Sequence, residues 1–303
     1  MTSATKSHSP QTPLSANQAR WFDVSDRALV SLSGPDAPDL LHRISTNDLA
    51  HLAVGASAQT ILTNEKGRIV EVLSVCRTID DEILLAGSSN DDKELTRWLN
   101  KFIIMEDARV TSVKALYNQI IVISDKALAD NALGQINEKS TYVINEDWGE
   151  TKWTRLILSK EQGSPDRILD IGMRKMSVKD FSEFRLRGLV PIYPNEINFS
   201  VNPLEIGLRH LVDFKKGCYV GQEVIARLDT YDKVQGRLCG FRLTGLPRSV
   251  PAPIFQNGTE AGILTSSESS SSGESILGLG ILKRTAQNKM FYLNEQNISL
   301  EIS

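Results

Sequence analysis

The chain has 303 residues, 41% of them hydrophobic and 23% charged, a length and balance that suit about two globular domains. Its formal net charge of −3 argues against a general grip on nucleic acid, which needs a clustered basic surface. No apolar run approaches the roughly 18 residues of a membrane span, so neither nucleic acid nor membrane is expected as a direct partner.

Residues 1–18 are rich in Ser, Thr, Pro and Gln and lack acids, the composition of a disordered tail rather than of an arginine-rich presequence. Residues 28–32 read as a strand, Ser33 to Asp36 as a turn, and a helix is expected from Ala37 with Leu40, Leu41 and Ile44 on one face. It ends near Ser45, Thr46, Asn47 and Asp48, whose short polar side chains favour capping turns. Residues 60–62 and 69–75 read as two strands joined by a tight turn at Asn64 to Gly67, and 82–86 as a third. From about Asn90, Leu95, Trp98, Leu99 and Phe102 recur at helical spacing, a core-facing stripe.

Strands are expected at 108–113 and 119–124, a short helix at 125–133, and strands at 153–158 and 167–171. Val178, Phe181, Phe184 and Leu189 suit an amphipathic helix ending before Pro191, and another helix opens at Gln222 and runs to about Tyr231. Beyond Val234 the character changes. Six short strands (237–243, 254–256, 259–264, 276–282, 290–293, 298–302), with an Asn257-Gly258 hairpin signal, predict a small β-barrel. Residues 266–275 read as a flexible serine-rich loop.

Three widely spaced cysteines, Cys76, Cys218 and Cys239, form neither a disulfide framework nor a zinc or iron–sulfur ligand set. His8, His42, His51 and His210 are scattered as well, so no stable metal site is expected, and a reducing compartment is. The densest chemistry lies in Lys215-Lys216-Gly217-Cys218-Tyr219-Val220-Gly221-Gln222-Glu223. Gly217 and Gly221 can take positive φ or admit close contact, and the lysines favour a thiolate at Cys218. A tight turn around a buried small residue is the plainer reading of the same run. Arg227, four residues after Glu223, suits either an intrahelical ion pair or a ligand carboxylate.

Lys216-Gly217-Cys218-Tyr219-Val220-Gly221-Gln222-Glu223 resembles the signature of the YgfZ family, folate-binding proteins related to the glycine cleavage T-protein (aminomethyltransferase). The resemblance continues through Gly34-Pro35-Asp36-Ala37, Thr46-Asn47-Asp48, the Lys66-Gly67 turn, Asn202-Pro203-Leu204-Glu205 and Ala261-Gly262, and covers about residues 24–303. It implies an α+β fold of two α+β halves around a central cavity (a domain over 19–234, with halves at about 19–115 and 116–234) and a C-terminal β-barrel over 235–303.

The implied cofactor is tetrahydrofolate or a derivative, with Asn47, Asp48, Phe181, Tyr219, Gln222, Glu223 and Arg227 as cofactor-binding candidates. Cys218 and Lys216 are the catalytic candidates, with Lys216 lowering the thiol's pKa. The implied function is to support iron–sulfur cluster assembly or repair, with iron–sulfur assembly or client proteins as partners and an indirect effect on tRNA modification. The expected location is the bacterial cytoplasm, with the mitochondrial matrix as alternative. Two other readings stay open. A folate-dependent aminomethyl- or methyltransferase needs a catalytic acid near the helix at Asn90, where Asp91, Asp92 and Glu94 lie without the family's flanking pattern. A folate-free adaptor is suggested by Arg187, which stands where the family carries a pterin-holding glutamate; Glu183 or Glu196 would have to replace it.

Overall fold

The computed structural model describes residues 19–124, 141–169, 173–286, 290–293 and 298–303. The N-terminal tail, the helix expected at 125–133 and the end of the strand expected at 167–171 lie outside the described residues.

The first half forms β1 (Arg20–Asp23), β2 (Leu29–Ser33), α1 (Ala37–Ile44), β3 (Ser57–Thr63), β4 (Ile69–Arg77), β5 (Ile83–Gly87), α2 (Asp92–Asn100) and β6 (Arg109–Ser112). Five of these strands make a sheet in the order β3-β4-β5-β2-β6. α1 begins with a proline in its first turn and buries Ala37, Leu40, Leu41 and Ile44, the stripe read from the sequence. α2 is capped by Asp91, whose side chain accepts from the Glu94 N–H, and buries Leu95, Trp98 and Leu99. It stops before Phe102, which still packs on Trp98 with ring centroids 4.7 Å apart. Both helices cover one face of the sheet through Leu62, Leu73, Val75 and Leu85.

The other face meets a second sheet, in the order β10-β1-β7-β9-β8. Its further strands are β7 (Tyr117–Ile123), β8 (Thr141–Trp148), β9 (Thr151–Ser159) and β10 (Arg174–Lys175). Leu29, Cys76, Leu84 and Ala86 of the first sheet share a core with Ile144 and Ile157 of the second, so β4 and β5 are buried on both faces. The two sheets do not divide the chain at one point: β1, at its start, pairs antiparallel with β7 and parallel with β10.

In place of a strand at Arg167 there is a single helical turn, α3 (Pro165–Ile168). Ser164 precedes a proline at its first position, a helix-starting pair that outweighs the apolar residues behind it. α4 (Val178–Arg187) starts with a capping box between Ser177 and Asp180. Of the stripe expected on it, Phe181 is buried, but Val178 is 75% exposed and Leu189 lies outside the helix at positive φ. α5 (Gln222–Thr230) follows the signature.

The C-terminal region closes into a six-stranded barrel, β11 (Gly236–Leu243), β12 (Ala252–Gln256), β13 (Thr259–Ser269), β14 (Ile276–Lys283), β15 (Met290–Leu293) and β16 (Ile298–Ile302), ordered β11-β14-β13-β12-β15-β16. The serine-rich loop is shorter than expected. Ser266 to Ser269 belong to β13 and pair with β14, and the turn beyond is pinned by Ser270 N–H to Ser275 O at 2.8 Å.

Candidate ligand cavity and signature loop

A cavity of about 720 Å³ lies where β1, the turn after it, the end of β5, α4 and the barrel strand β13 converge. One wall is aromatic: Phe22 of β1 stacks on Phe181 of α4, with centroids 4.2 Å apart and planes 4° from parallel. Trp153 and Phe184 pack behind this pair, at 5.9 Å from Phe181 and 6.4 Å from Trp153 respectively. Tyr193, Asn195, Ser88, Asn90, Asp26 and Arg27 add polar groups to the lining. The size and the mixture of flat apolar wall with few polar groups suit a small organic ligand.

Buried carboxylates hold these walls in place. Glu71 is 3% exposed and accepts from the N–H and hydroxyl groups of both Ser88 and Ser89, fixing the strand end beside the cavity. Glu146, on β8, accepts from Ser74 across the two sheets at 2.6 Å, from the Trp148 and Trp153 indoles, and from Arg155. Burial pushes its carboxyl up, but Arg155 and these hydrogen bonds prevail and leave it below its usual value. Arg155 goes on to Gln119 Oε1 at 3.0 Å, and Gln119 Nε2 donates to Arg27 O at 2.9 Å. A continuous chain of buried contacts therefore runs from the sheet interface to the cavity wall.

Glu196 has no exposed surface and docks the barrel. Its carboxylate accepts from the Thr265 and Ser266 hydroxyls, the Ile192 N–H at 3.1 Å and Arg185 Nη1 at 3.3 Å. Glu183 is likewise engaged, with Arg187 at 2.8 Å and the Ser271 N–H at 2.7 Å. Arg187 thus sits at the exposed end of α4 in an i,i+4 ion pair and does not line the cavity. Neither glutamate is free to take the role of the missing one; the carboxylates on the cavity wall are Asp23 and Asp26.

The signature forms a separate structure against the first half. The Thr63 hydroxyl donates to Val220 O at 2.5 Å, and Asp213 N–H donates to Thr46 O at 2.9 Å. Gly221 has φ 81°, and a Cβ there would lie 2.4 Å from Asn64 O, so the loop requires glycine where it crosses the β3–β4 turn. Gly67 in that turn, at φ 66°, in turn packs on Val224 and Ile225 of α5. Gly217 is different: its φ is not positive, and a Cβ there would meet nothing within 4 Å.

Cys218 is exposed at the tip of this loop. Lys216 is not its partner. Its ammonium donates to His42 O, Ser45 O and Asn47 O at 2.5, 2.7 and 2.8 Å, using all three hydrogens on the C-terminal end of α1. The side chain reaches the core, not the thiol, and burial draws its pKa down to about 8. Lys215 is the exposed lysine beside Cys218.

Asn47 and Asp48 belong to the turn that Lys216 secures. Asn47 Nδ2 donates to Gln59 O at 2.8 Å and its Oδ1 accepts from the Asp48 N–H, while Asp48 Oδ1 lies 3.3 Å from His42 Nδ1. Tyr219 packs with Val212 and Ile225, its hydroxyl buried without a partner among the described residues, and burial pushes its pKa up to about 12. Gln222 Nε2 reaches Lys216 O at 3.5 Å. Glu223 and Arg227 are exposed and form no ion pair with each other within 4.0 Å. Of the sequence-named candidates, Phe181 alone lines the 720 Å³ cavity; the other eight gather around the signature loop, the Asn47 turn and α5. Asp91 caps α2, Asp92 Oδ2 accepts from the Ser112 hydroxyl at 2.5 Å, and Glu94 pairs with Arg97.

A solved glycine cleavage system aminomethyltransferase T from Bartonella henselae superimposes with a TM-score of 0.79 over 94% of this chain and 85% of its own, at 17% identity. The fold is the T-protein fold. The family described as the GCVT N-terminal domain matches residues 13–132. An aminomethyltransferase of Listeria monocytogenes is 27% identical over 287 residues, covering 87% of this chain and 78% of that protein. A putative chloroplastic transferase of Arabidopsis thaliana is 27% identical over 288 residues; the chain spans 65% of that relative's length. Sequence and structure together make the chain T-protein-like.

On that fold, the residues that sequence reasoning missed are those with a plain local meaning. Arg27 reads as a turn arginine, and Ser88 and Ser89 as a strand end. The available signals were a Glu71 in a mainly apolar strand and a Glu146 followed by Trp148 and Trp153, each a charge that folding buries and must satisfy. Among the described residues there is no group of three or more His, Cys, Asp or Glu arranged to hold a metal, and no helix is long and apolar enough to cross a membrane.

Proposed function

We propose that the chain binds a reduced folate in the 720 Å³ cavity and supports assembly or repair of iron–sulfur proteins. The observation that carries the folate reading is the cavity itself: a T-protein fold with the flat Phe22–Phe181 wall beside a ring of donors and acceptors. The group fits. A pterin would lie along the aromatic wall, with Asn90, Tyr193 and Asn195 as hydrogen-bonding partners. Bound folate supplies one-carbon chemistry. The chain's residues orient it and exclude water, and Glu71 and Glu196 fix the walls.

The iron–sulfur role rests on the YgfZ-like signature and on the exposure of Cys218. The thiol stands on a rigid loop, anchored by Gly221 and Lys216, where a partner protein can reach it. In this reading the partners are iron–sulfur assembly or client proteins in a reducing compartment, the cytoplasm of a bacterium, and an effect on tRNA modification follows through iron–sulfur enzymes. A second reading, a folate-dependent aminomethyltransferase, is favoured by the similarity to the Listeria aminomethyltransferase and by the Asp23 and Asp26 carboxylates on the cavity wall.

Anaerobic calorimetric titration with tetrahydrofolate tests the shared part: saturable binding is expected, and its absence at millimolar ligand points to a folate-free adaptor. Activity of an iron–sulfur enzyme in cells carrying Cys218→Ser separates the two readings. Lost activity supports the first. Full activity, with tetrahydrofolate-dependent conversion of an S-aminomethyl thiol donor to free thiol, methylene-tetrahydrofolate and ammonia, supports the second.

A further inference from the structure

The Arg27 side chain stands in the cavity wall without a hydrogen bond or ion pair among the described residues to hold it there. Its backbone closes the turn after β1, with the N–H on Val24 O at 3.0 Å and the carbonyl accepting from Gln119. Arg27 lines the cavity, is partly buried, and its guanidinium makes no hydrogen bond or ion pair among the described residues. The other arginine in the lining, Arg185, is neutralised by Glu196. A guanidinium carries five donors, and holding it in a partly desolvated wall without an acceptor costs free energy. Burial and the neighbouring Arg155 draw its pKa down to about 10 against the opposing pull of the Glu146, Asp26 and Glu71 carboxylates, none of which reaches it as an ion pair, and it stays a cation at neutral pH.

We infer that Arg27 is the carboxylate seat of the cavity: the ligand presents a carboxylate to the Arg27 fork while its flat ring lies on the Phe22–Phe181 wall. A planar guanidinium matches a carboxylate with two parallel hydrogen bonds. Asp23 and Asp26 stand on the same wall, are exposed, and oppose any further anion there, so the seat takes one carboxylate rather than a polyanion. The inference deepens the folate reading and rests on it for the ligand's identity, a reduced folate held by its glutamate tail. It does not rest on it for the ligand's charge. It moves the carboxylate contact from Arg227, which is exposed on α5, to Arg27.

The test titrates the full chain with tetrahydrofolate, 6-methyltetrahydropterin (the same ring without a carboxylate) and p-aminobenzoylglutamate (the carboxylate end alone), using wild type, Arg27→Met, Arg27→Gln and Arg27→Lys. Arg27→Met is expected to weaken tetrahydrofolate roughly 10- to 100-fold, the worth of one charge-assisted bidentate contact. It leaves the pterin's affinity unchanged, and Arg27→Lys falls between. The melting temperature of unliganded Arg27→Met does not drop, because the side chain has no partner to lose; a merely structural arginine would lower it. If Arg27→Met does not fold, Arg27→Gln carries the same comparison. Equal loss of tetrahydrofolate and pterin binding overturns the proposal, as does no loss of either. If wild type ignores tetrahydrofolate yet binds p-aminobenzoylglutamate through Arg27, the folate reading falls and the carboxylate seat stands. If neither carboxylated ligand depends on Arg27, the seat itself is refuted.

Discussion

Glu146 offers the sharpest test of how the cavity is held. The variant is Glu146→Ala. In the native protein the carboxylate has no more than 1% exposure and joins Ser74, Trp148, Trp153 and Arg155. Truncation leaves Arg155, itself 1% exposed, as a buried cation whose remaining side-chain partner is Gln119. Breaking a buried ion pair by removing one member costs about 3–5 kcal/mol. The three neutral donors would add up to about 1 kcal/mol each if independent, but they share one acceptor and relax together, so the upper end of that range is the expected total. Urea unfolding followed by tryptophan fluorescence reads this directly, since two of the four tryptophans touch the carboxylate. The midpoint should fall by more than about 1 M at an m-value near 3 kcal/mol/M. Replacing both charges, as Glu146→Leu with Arg155→Met, should recover most of the loss, because an apolar pair of similar volume is often neutral. A single-variant cost under about 1 kcal/mol, or a double variant no better than the single, would refute the account of the network.

Three further outcomes follow from the geometry. Gly221→Ala meets Asn64 O and positive φ together, so it should cost about 1–3 kcal/mol in urea unfolding, whereas Gly217→Ala should change stability by less than about 0.5 kcal/mol. Lys216→Met strips three carbonyls at the end of α1 of their donor, and a loss of about 1–3 kcal/mol is expected, with faster amide exchange at Asn47 and Asp48. For pH, the folded carboxyl of Glu146 lies below its unfolded value, so the unfolded chain takes up the proton first as pH falls. Stability should therefore be full above about pH 4.5 and decline below it; Asp180 and Glu183 act in the same direction, more weakly because they are better solvated, and the decline should be shallower in Glu146→Gln.

The barrel was legible because its turns carry local chemistry: Asn257-Gly258 sits at the tip of β12–β13, and β15 and β16 are bounded as their apolar runs suggest. α1 and α2 were legible from one-sided apolar spacing. β8 was missed because Asn145, Glu146 and Asp147 interrupt it with residues disfavoured in strands; Glu146 is tolerated there only because Arg155, nine residues on, reaches it. Lys216 misled for a different reason. Adjacency in sequence put it beside Cys218, but its Nζ lies on Ser45, 171 residues back. Arg27 could not be recognised as a cavity residue at all until α4 and β13 closed over the turn that holds it.

The most direct test of the central claim is a crystal structure of the full chain grown with 5-formyltetrahydrofolate. The account predicts the pterin on the Phe22–Phe181 wall of the 720 Å³ cavity, with the glutamate carboxylate at Arg27. Ligand density confined to the Cys218 loop and α5, or a cavity filled by water alone at millimolar folate, would contradict it.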